Sequence, residues 1–526
     1  MWADWESGSF ALPPGVDFCA GVVRGLMARV GTKPPEALAA ITIHVNSGRT
    51  LLRLRAAFDD YAALHGPLLL PKLRLLSDLG ADLPGAVAPP LGRVLELGRL
   101  VAHLMERNPA LGAGQSVPQL AQSLAALMAE MQSEGCGTDS LSRIDAQGHA
   151  AHWQRSLAFL RIAAGFYLSD PPIDAPARQR RMAEAISAAW LAGTGLPQAP
   201  VLAVGSTGSH GATRLFLRAL AAQPLGAVVL PGYDFTLPEP IWSALADGGD
   251  DHPQARLALL RQGGVRPWTD SAPDDRNRLI SLALRPAPVT DQWIAEAPSL
   301  PELSAPTAGL TLIEADQPQQ EADAIAILIR DAVGRGQPVR LFAADRAIVR
   351  RVASVLDRWD LLIDDSAGEP LQLAPQGLFL RHVAALFGQK LGVDTLLVLL
   401  KHPVTATGNA QGHGESLRQT RELELHLRRH GPAFPDAQSL RDWADRGDEA
   451  RKIWVNWLAP ILDVVGASES DRAPLPVPER LAAHLALAGM LAAGPGGQVA
   501  DSTLWNDAGG RAADMAMTHL ADHAAI

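Results

Sequence analysis

Residues 201–234, VLAVGSTGSHGATRLFLRALAAQPLGAVVLPGYD, constrain this chain more than any other stretch. Val201 to Val204 is a short apolar run with β-branched residues, the pattern of a buried strand. Gly205-Ser206-Thr207-Gly208-Ser209 reads as a turn. Ala212, Leu215, Phe216, Ala219 and Leu220 then recur at helical spacing, with Arg214 and Arg218 on the other face. Ala227 to Leu230 is a second apolar strand, closed by Pro231-Gly232-Tyr233-Asp234. Strand, Gly-rich loop, helix, strand predicts a βαβ unit in a parallel sheet, and its first loop sits where such folds bind phosphate.

The loop lacks the chemistry of a nucleotide site. A P-loop needs Gly, four residues, Gly, Lys, then Ser or Thr. Here five residues separate Gly205 from Gly211, and Ala212 stands in the place of the lysine. Lysine occurs only at Lys33, Lys72, Lys390, Lys401 and Lys452, and none follows a glycine. None has Asp or Glu two positions before it either, so the Asp/Glu-x-Lys arm of a metal-dependent nuclease is missing. A tight turn feeding a helix needs only the φ freedom of glycine.

At 526 residues the chain is too long for one core, and two to four domains are expected. The net charge of −10 gives no global basic field, so any nucleic-acid surface must be local. Cys19 and Cys136 are the only cysteines, which excludes a disulfide framework, a Cys₄ zinc site and a four-thiolate iron–sulfur cluster. The start, MWADWESGSFALPPG, has no cationic opening and no long apolar core, so it does not read as a signal peptide. No apolar run approaches the roughly 20 residues of a membrane span. These features predict a cytoplasmic protein.

Along the chain, Leu12 to Phe18 is a turn before a helix from Ala20 to Val30, and Ile41 to Val45 is a strand. Asn46-Ser47-Gly48 opens a helix carrying Arg49, Arg53 and Arg55, and Leu73 to Leu76 is a third strand. Helices are predicted over 93–107, 117–132, 149–168 and 176–191. The Leu124, Leu127, Met128, Met131 stripe reads as core, because methionine fills core gaps. Residues 247–309 are loop-rich, and the Asp247–Asp251 acidic cluster matches no EF-hand spacing. Alternation restarts with strands at Leu310–Ile313 and Val339–Ala343, each followed by a helix, which predicts a second parallel sheet. From about 375 the chain reads as helical. Glu422, His426 and His430 share one helix face, but Arg428 and Arg429 beside them oppose a metal.

Taken in order, several passages resemble the AddB family, the double-strand-break repair subunits of AddAB helicase–nucleases, in their alphaproteobacterial form. They are Pro14-Gly15-Val16-Asp17-Phe18, His44-Val45-Asn46-Ser47, Leu70-Pro71-Lys72-Leu73-Arg74-Leu75 and His152-Trp153-Gln154-Arg155-Ser156-Leu157. Gly205–Ser209, Val229–Asp234, Leu284-Arg285-Pro286-Ala287, Asp364-Asp365-Ser366-Ala367-Gly368 and Leu400-Lys401-His402-Pro403 continue the series. The likeness covers about residues 8–510 and lies in the number and order of passages, none of them catalytic.

The resemblance implies an α/β protein with two RecA-like parallel-sheet domains, superfamily-1 helicase-like and degenerate, each with a helical insertion. It places the first part of RecA-like domain 1 at 1–92, a helical insertion at 93–195 and the rest of that domain at 196–305. RecA-like domain 2 starts at 306–375, and 376–526 is a helical insertion or extension. Pro14, Gly15, Val16 and Asp17 occupy the place of the nucleotide loop without its Gly-Lys-Ser/Thr, implying a scaffold rather than a motor. DNA contacts are implied for Asn46, Ser47 and Arg49, with Gly48 where a basic residue is expected, and for Thr207, Ser209, His210, Lys401 and His402. Arg428 and Arg429 are further candidates. The chain is about half the family's usual length, so the nuclease portion is expected to be absent and the fragment to have no catalysis, metal or cofactor of its own. The implied partners are an AddA-like motor subunit, as a heterodimer, and DNA ends or single-stranded DNA, with no membrane. Two other readings remain open. One is an enzyme holding a nucleotide or sugar phosphate on the 205–211 loop. The other is a helical protein–protein adaptor.

Overall fold

The computed structural model describes residues 2–524 apart from 82–86, 88, 108–115, 144–159, 161–173, 248–251, 262, 271–273, 301, 410–412, 471–472 and 474. The chain divides into two compact units, Met1–Thr311 and Leu312–Ile526. It is mostly helical, with one six-stranded parallel sheet, and is therefore an α/β protein.

The sheet belongs to the first unit. Its strands are β1 (Gly8–Ala11), β2 (Thr42–Val45), β3 (Lys72–Leu75), β4 (Val201–Val204), β5 (Gly226–Leu230) and β6 (Arg266–Pro267), in the order β3-β2-β4-β5-β1-β6. Every ladder is parallel. Successive side chains on a strand face opposite sides, and the two cores follow that alternation. Phe10, Leu12, Ile43, Val45, Leu202, Val204, Ala227 and Val229 enter one core. Helices α1 (Phe18–Val30), through Val22 and Leu26, and α3 (Gly48–His65), through Leu54 and Phe58, cover it; the short α2 (Pro35–Ala40) leads into β2. Ala11, Ala203, Val228 and Leu230 face the second core.

Strands β4 and β5 lie inside the sheet with both faces covered, which is why they read as continuous apolar runs. The edges carry residues that resist further pairing. β3 presents Lys72 and Arg74, and β6 is two residues long and ends in Pro267.

The helical block between β3 and β4 contains α4 (Pro90–Arg107) and α5 (Val117–Glu134), joined through Leu97, Val101, Leu124, Met128 and Met131. The methionine stripe is core. The helix expected at 149–168 and the His152–Leu157 passage lie outside the described residues, Leu160 excepted. Helix α6 (Ala175–Leu191) returns to the sheet, and α7 (Gly211–Ala221) and α8 (Glu239–Asp247) pack with it on the second core. Helix α9 (Asp275–Ala283) follows β6.

Two strands have no counterpart in the sequence reading. Gly-Ser-Phe-Ala is a strand because Phe10 sits in register with Val229 on one side and Arg266 on the other. The ladder, not local propensity, makes both β1 and β6.

The second unit begins with α10 (Pro318–Gly334) and α11 (Arg346–Asp357), packed on each other through Ala322, Ala326, Val352, Val355 and Leu356. The strands expected at Leu310–Ile313 and Val339–Ala343 are not formed: both segments are unpaired, and no strand occurs among the described residues of this unit. A larger helical core follows, built around Phe379, Leu396, Leu423, Trp443, Trp454, Leu458 and Leu491. Its helices are α12 (Pro375–Ala384), α13 (Val393–Leu400), α14 (His413–His430), α15 (Ala437–Ala444), α16 (Glu449–Ser470), α17 (Val477–Ala493) and α18 (Ala508–Ala524). No helix among the described residues is long and apolar enough to cross a membrane.

Candidate functional site

Because all six strands run the same way, their carboxyl ends share one edge of the sheet. The helix after β2, α3, packs on the first core, and the helix after β4, α7, packs on the second. Neighbouring strands whose loops leave toward opposite faces form a topological switch point, where open α/β sheets have their crevice. The register pairs Val45 with Val204, so Asn46 and Gly205 are the next residues out on either side. Gly205 has φ +77°, and a Cβ there would lie 3.1 Å from Asn46 Oδ1 and 3.3 Å from the Phe18 ring. A left-handed backbone and a close neighbour together require glycine.

The structure thus brings together two groups of candidates far apart in sequence, Asn46-Ser47-Arg49 and Thr207-Ser209-His210. Asn46, Arg49, Ser209 and His210 are exposed, and Thr207 is half-buried. The Ser47 hydroxyl caps α3, accepting from Thr50 N–H at 3.2 Å and lying 3.0 Å from Thr50 Oγ1. The Ser209 carbonyl accepts from Arg256 at 3.0 Å.

Three helix N-termini open on this edge, and each is capped differently. At α1 the Asp17 carboxylate accepts from Ala20 N–H at 3.0 Å and from Arg53 at 3.0 Å. The preceding turn is pinned, with Asn277 donating to the Pro14 carbonyl at 3.1 Å and Tyr233 N–H to the Leu12 carbonyl at 3.0 Å. Pro14–Asp17 therefore presents a carboxylate, paired with Arg53, where a nucleotide loop presents a lysine. At α3 the cap is the neutral Ser47 hydroxyl.

At α7 the cap comes from the helical block. Gly211 N–H donates to Glu134 Oε1 at 2.6 Å, and Arg214 donates to Glu134 Oε2 at 2.8 Å. A Cβ on Gly211 would stand 2.8 Å from the Glu134 Cα, so glycine is needed for this approach. A helix N-terminus carries about half a positive charge and favours anions; here an internal carboxylate holds that place. Sequence reasoning missed Glu134 because it lies 77 residues before Gly211. The only local sign was a glycine, rather than a lysine-led helix, after the loop.

His44, in the middle of β2, faces the second core with its ring 5.4 Å from that of Phe216. Burial, with Arg74 on the edge strand, pushes its pKa down to about 4. It is neutral near pH 7, and its Nδ1 has no hydrogen-bond partner among the described residues.

The remaining candidates belong to the helical body of the second unit. Lys401 is paired with Glu424 at 2.6 Å, and Arg428 pairs with the same carboxylate at 2.9 Å. His402 is buried beside Phe379 and His382, and burial pushes its pKa down to about 4. Its Nδ1 accepts from Val404 N–H at 3.3 Å, closing the turn after α13. Glu422 is held by Arg418 and Arg451. His426 lies against Trp443, and its pKa is lowered by partial burial and by the neighbouring His430, Arg446 and Arg451. No group of three or more His, Cys, Asp or Glu that could hold a metal occurs among the described residues.

An open groove of about 540 Å³ lies between α1 and α3, lined by Val23, Arg24, Met27, Tyr61, Leu64 and His65 among others, and takes in no residue of the 205–211 loop. No family model matches the chain, and no curated protein matches it.

Proposed function

We propose that this chain is a DNA-binding scaffold without a motor of its own: the N-terminal half of an AddB-like subunit that acts with an AddA-like ATPase in double-strand-break repair. In this reading the first unit is a degenerate RecA-like body, and residues 306–375 begin a second one. The observation that carries the reading is the β2/β4 crevice. Its exposed Asn46, Arg49, Ser209 and His210 offer hydrogen-bond donors to a phosphate backbone. The two neighbouring helix N-termini that could hold a nucleotide phosphate are occupied by Asp17 and Glu134. The same occupancy disfavours an enzyme that binds a nucleotide on the 205–211 loop.

The test is fluorescence anisotropy of the full chain with a labelled duplex bearing a single-stranded tail. Binding is expected at low salt and should weaken as salt rises, by about 0.7 log units in affinity per log unit of salt for each phosphate contact on a single strand. Arg49→Glu should weaken binding and flatten that slope. No binding at low salt, together with no capture of an AddA-like subunit, would sink the proposal.

A further inference from the structure

In the second unit an open hollow of about 290 Å³ lies where the first turn of α10 meets one face of α11. It is lined by Gln319, Ala347, Arg350, Arg351, Ser354 and Val355, with no acid among them. Ala347, Arg350, Arg351 and Ser354 fall at i, i+3, i+4 and i+7 of α11 and so share one face. Val355 is buried in the core that joins the two helices, which fixes the hollow to a packed pair rather than to a loop.

The other arginines of this helix pair and its caps are engaged. Arg346 pairs with Asp365 at 2.9 Å, Arg335 pairs with Asp331, and Arg330 lies over the Trp359 ring at 4.5 Å. Arg358 lies 3.9 Å from Asp323. The acids nearest the hollow are engaged too. Asp345 accepts from Ala347 N–H at 2.8 Å, and Asp323 accepts from Gln319 Nε2 at 3.1 Å. Arg350 and Arg351 stand apart: among the described residues neither makes an ion pair, a side-chain hydrogen bond or a ring contact. Two guanidinium groups that share one hollow repel each other, and an anion between them relieves the repulsion.

We propose that this hollow binds a small phosphorylated molecule through a phosphate monoester dianion. Two cations without a carboxylate call for a ligand group with two negative charges, and a phosphate monoester carries close to two near pH 7. The guanidinium fork matches phosphate oxygens in pairs. The Ser354 hydroxyl adds a further donor to the same hollow. The volume is at the lower end of the roughly 300–1,000 Å³ of small-molecule sites, which limits the body attached to the phosphate. A nucleic-acid strand asks for a succession of free cations along its diester backbone. Here the neighbouring arginines are already paired or stacked, so the helix pair offers one seat and no track. The proposal does not depend on the DNA-binding reading.

Calorimetric titration of the full chain with glycerol phosphate at low ionic strength tests it. One-site binding is expected. Arg350→Gln and Arg351→Gln should each weaken it about tenfold, the share of one charge-assisted hydrogen bond. Ser354→Glu, which places a carboxylate in the hollow and keeps both arginines, should abolish it. Arg346→Gln should leave it unchanged, because that side chain is paired elsewhere. All four positions are exposed, and an unchanged melting temperature confirms that the fold is kept. Affinity should fall between about pH 7.5 and pH 5.5 as the ester takes up its second proton. Residues 310–363 contain no histidine, and Asp323 and Asp345 are carboxylates that stay ionised across that range. Four results overturn the proposal. They are no heat of binding at about 10 mM ester, binding that survives the double substitution of Arg350 and Arg351, equal binding of dimethyl phosphate, and displacement of the ester by an oligonucleotide without a terminal phosphate. The last would assign the arginines to a nucleic-acid surface.

Discussion

The extended segments that precede α1 and α3 in the first unit are strands of a sheet, whereas the extended segments that precede α10 and α11 in the second are not. In the first, Phe10 and Ile43 are buried in a core shared by both flanking helices. In the second, Leu312 and Phe342 face solvent although α10 and α11 are well formed. The difference lies in partners distant in sequence. β1 needs β5, whose Ala227 pairs with Gly8 across 219 residues. A helix can satisfy its backbone alone, whereas a strand cannot. Helices therefore report local sequence, and strands report whether the rest of a sheet is present.

The largest expected effect tests the buried side of this contrast. Phe10→Ala should cost about 3–5 kcal/mol, the usual range for truncating a buried aromatic, read from urea denaturation of the first unit's transition. A loss under about 1 kcal/mol would mean that β1 is not held as described.

Acidification comes next. His44 and His402 both have folded pKa values of about 4, below the ordinary 6.5. With the folded value depressed, the unfolded chain takes up protons first. The contribution of each ring is complete above pH 6.5 and is lost as pH falls through the window from 6.5 to 4. The loss should be on the order of 2 kcal/mol per ring. Residues 310–363 contain no histidine, so the sharper version of the test compares regions. Exchange protection of β2 and of the turn after α13 should fall between pH 7 and pH 4.5, with no histidine-driven change in α10 and α11.

Glu134→Gln should have a smaller effect. It keeps one acceptor for Gly211 N–H and loses the charge facing Arg214, a partly exposed pair, so about 1–2 kcal/mol is expected by thermal or chemical denaturation. Glu134→Ala should cost more than Glu134→Gln, and equal costs would mean that the Gly211 contact contributes nothing. The smallest effect belongs to Phe342→Ala, expected to stay within about 0.5 kcal/mol because the ring is exposed. A cost like that of Phe10→Ala would break the comparison outright.

Much of this architecture was legible in the sequence. The runs at 41–45, 73–76, 201–204 and 227–230 announced four strands of the sheet, and helical periodicity announced α1, α3, α4, α5, α6 and α7. What was not legible is non-local. β1 and β6 carry no strand pattern of their own, and only the ladder makes them strands. The meeting of Asn46 with Gly205 follows from strand order, which no local window contains. Lys401 and His402, adjacent in sequence, have different surroundings: one is paired at the surface with Glu424, the other is buried against Phe379. Burial of that kind is set by α12, a separate helix.

The Glu134 contact has a consequence for anyone redesigning the 205–211 loop. Placing a lysine at position 212 would add a cation to a helix end that already holds its anion. Removing Glu134 alone would open the seat without supplying the group that reaches a terminal phosphate. Neither change should create affinity by itself, and only the pair has a route to it. For nucleotide affinity the loop is thus epistatically locked: it depends on a residue in another helix, and a screen of single substitutions for nucleotide binding would find none.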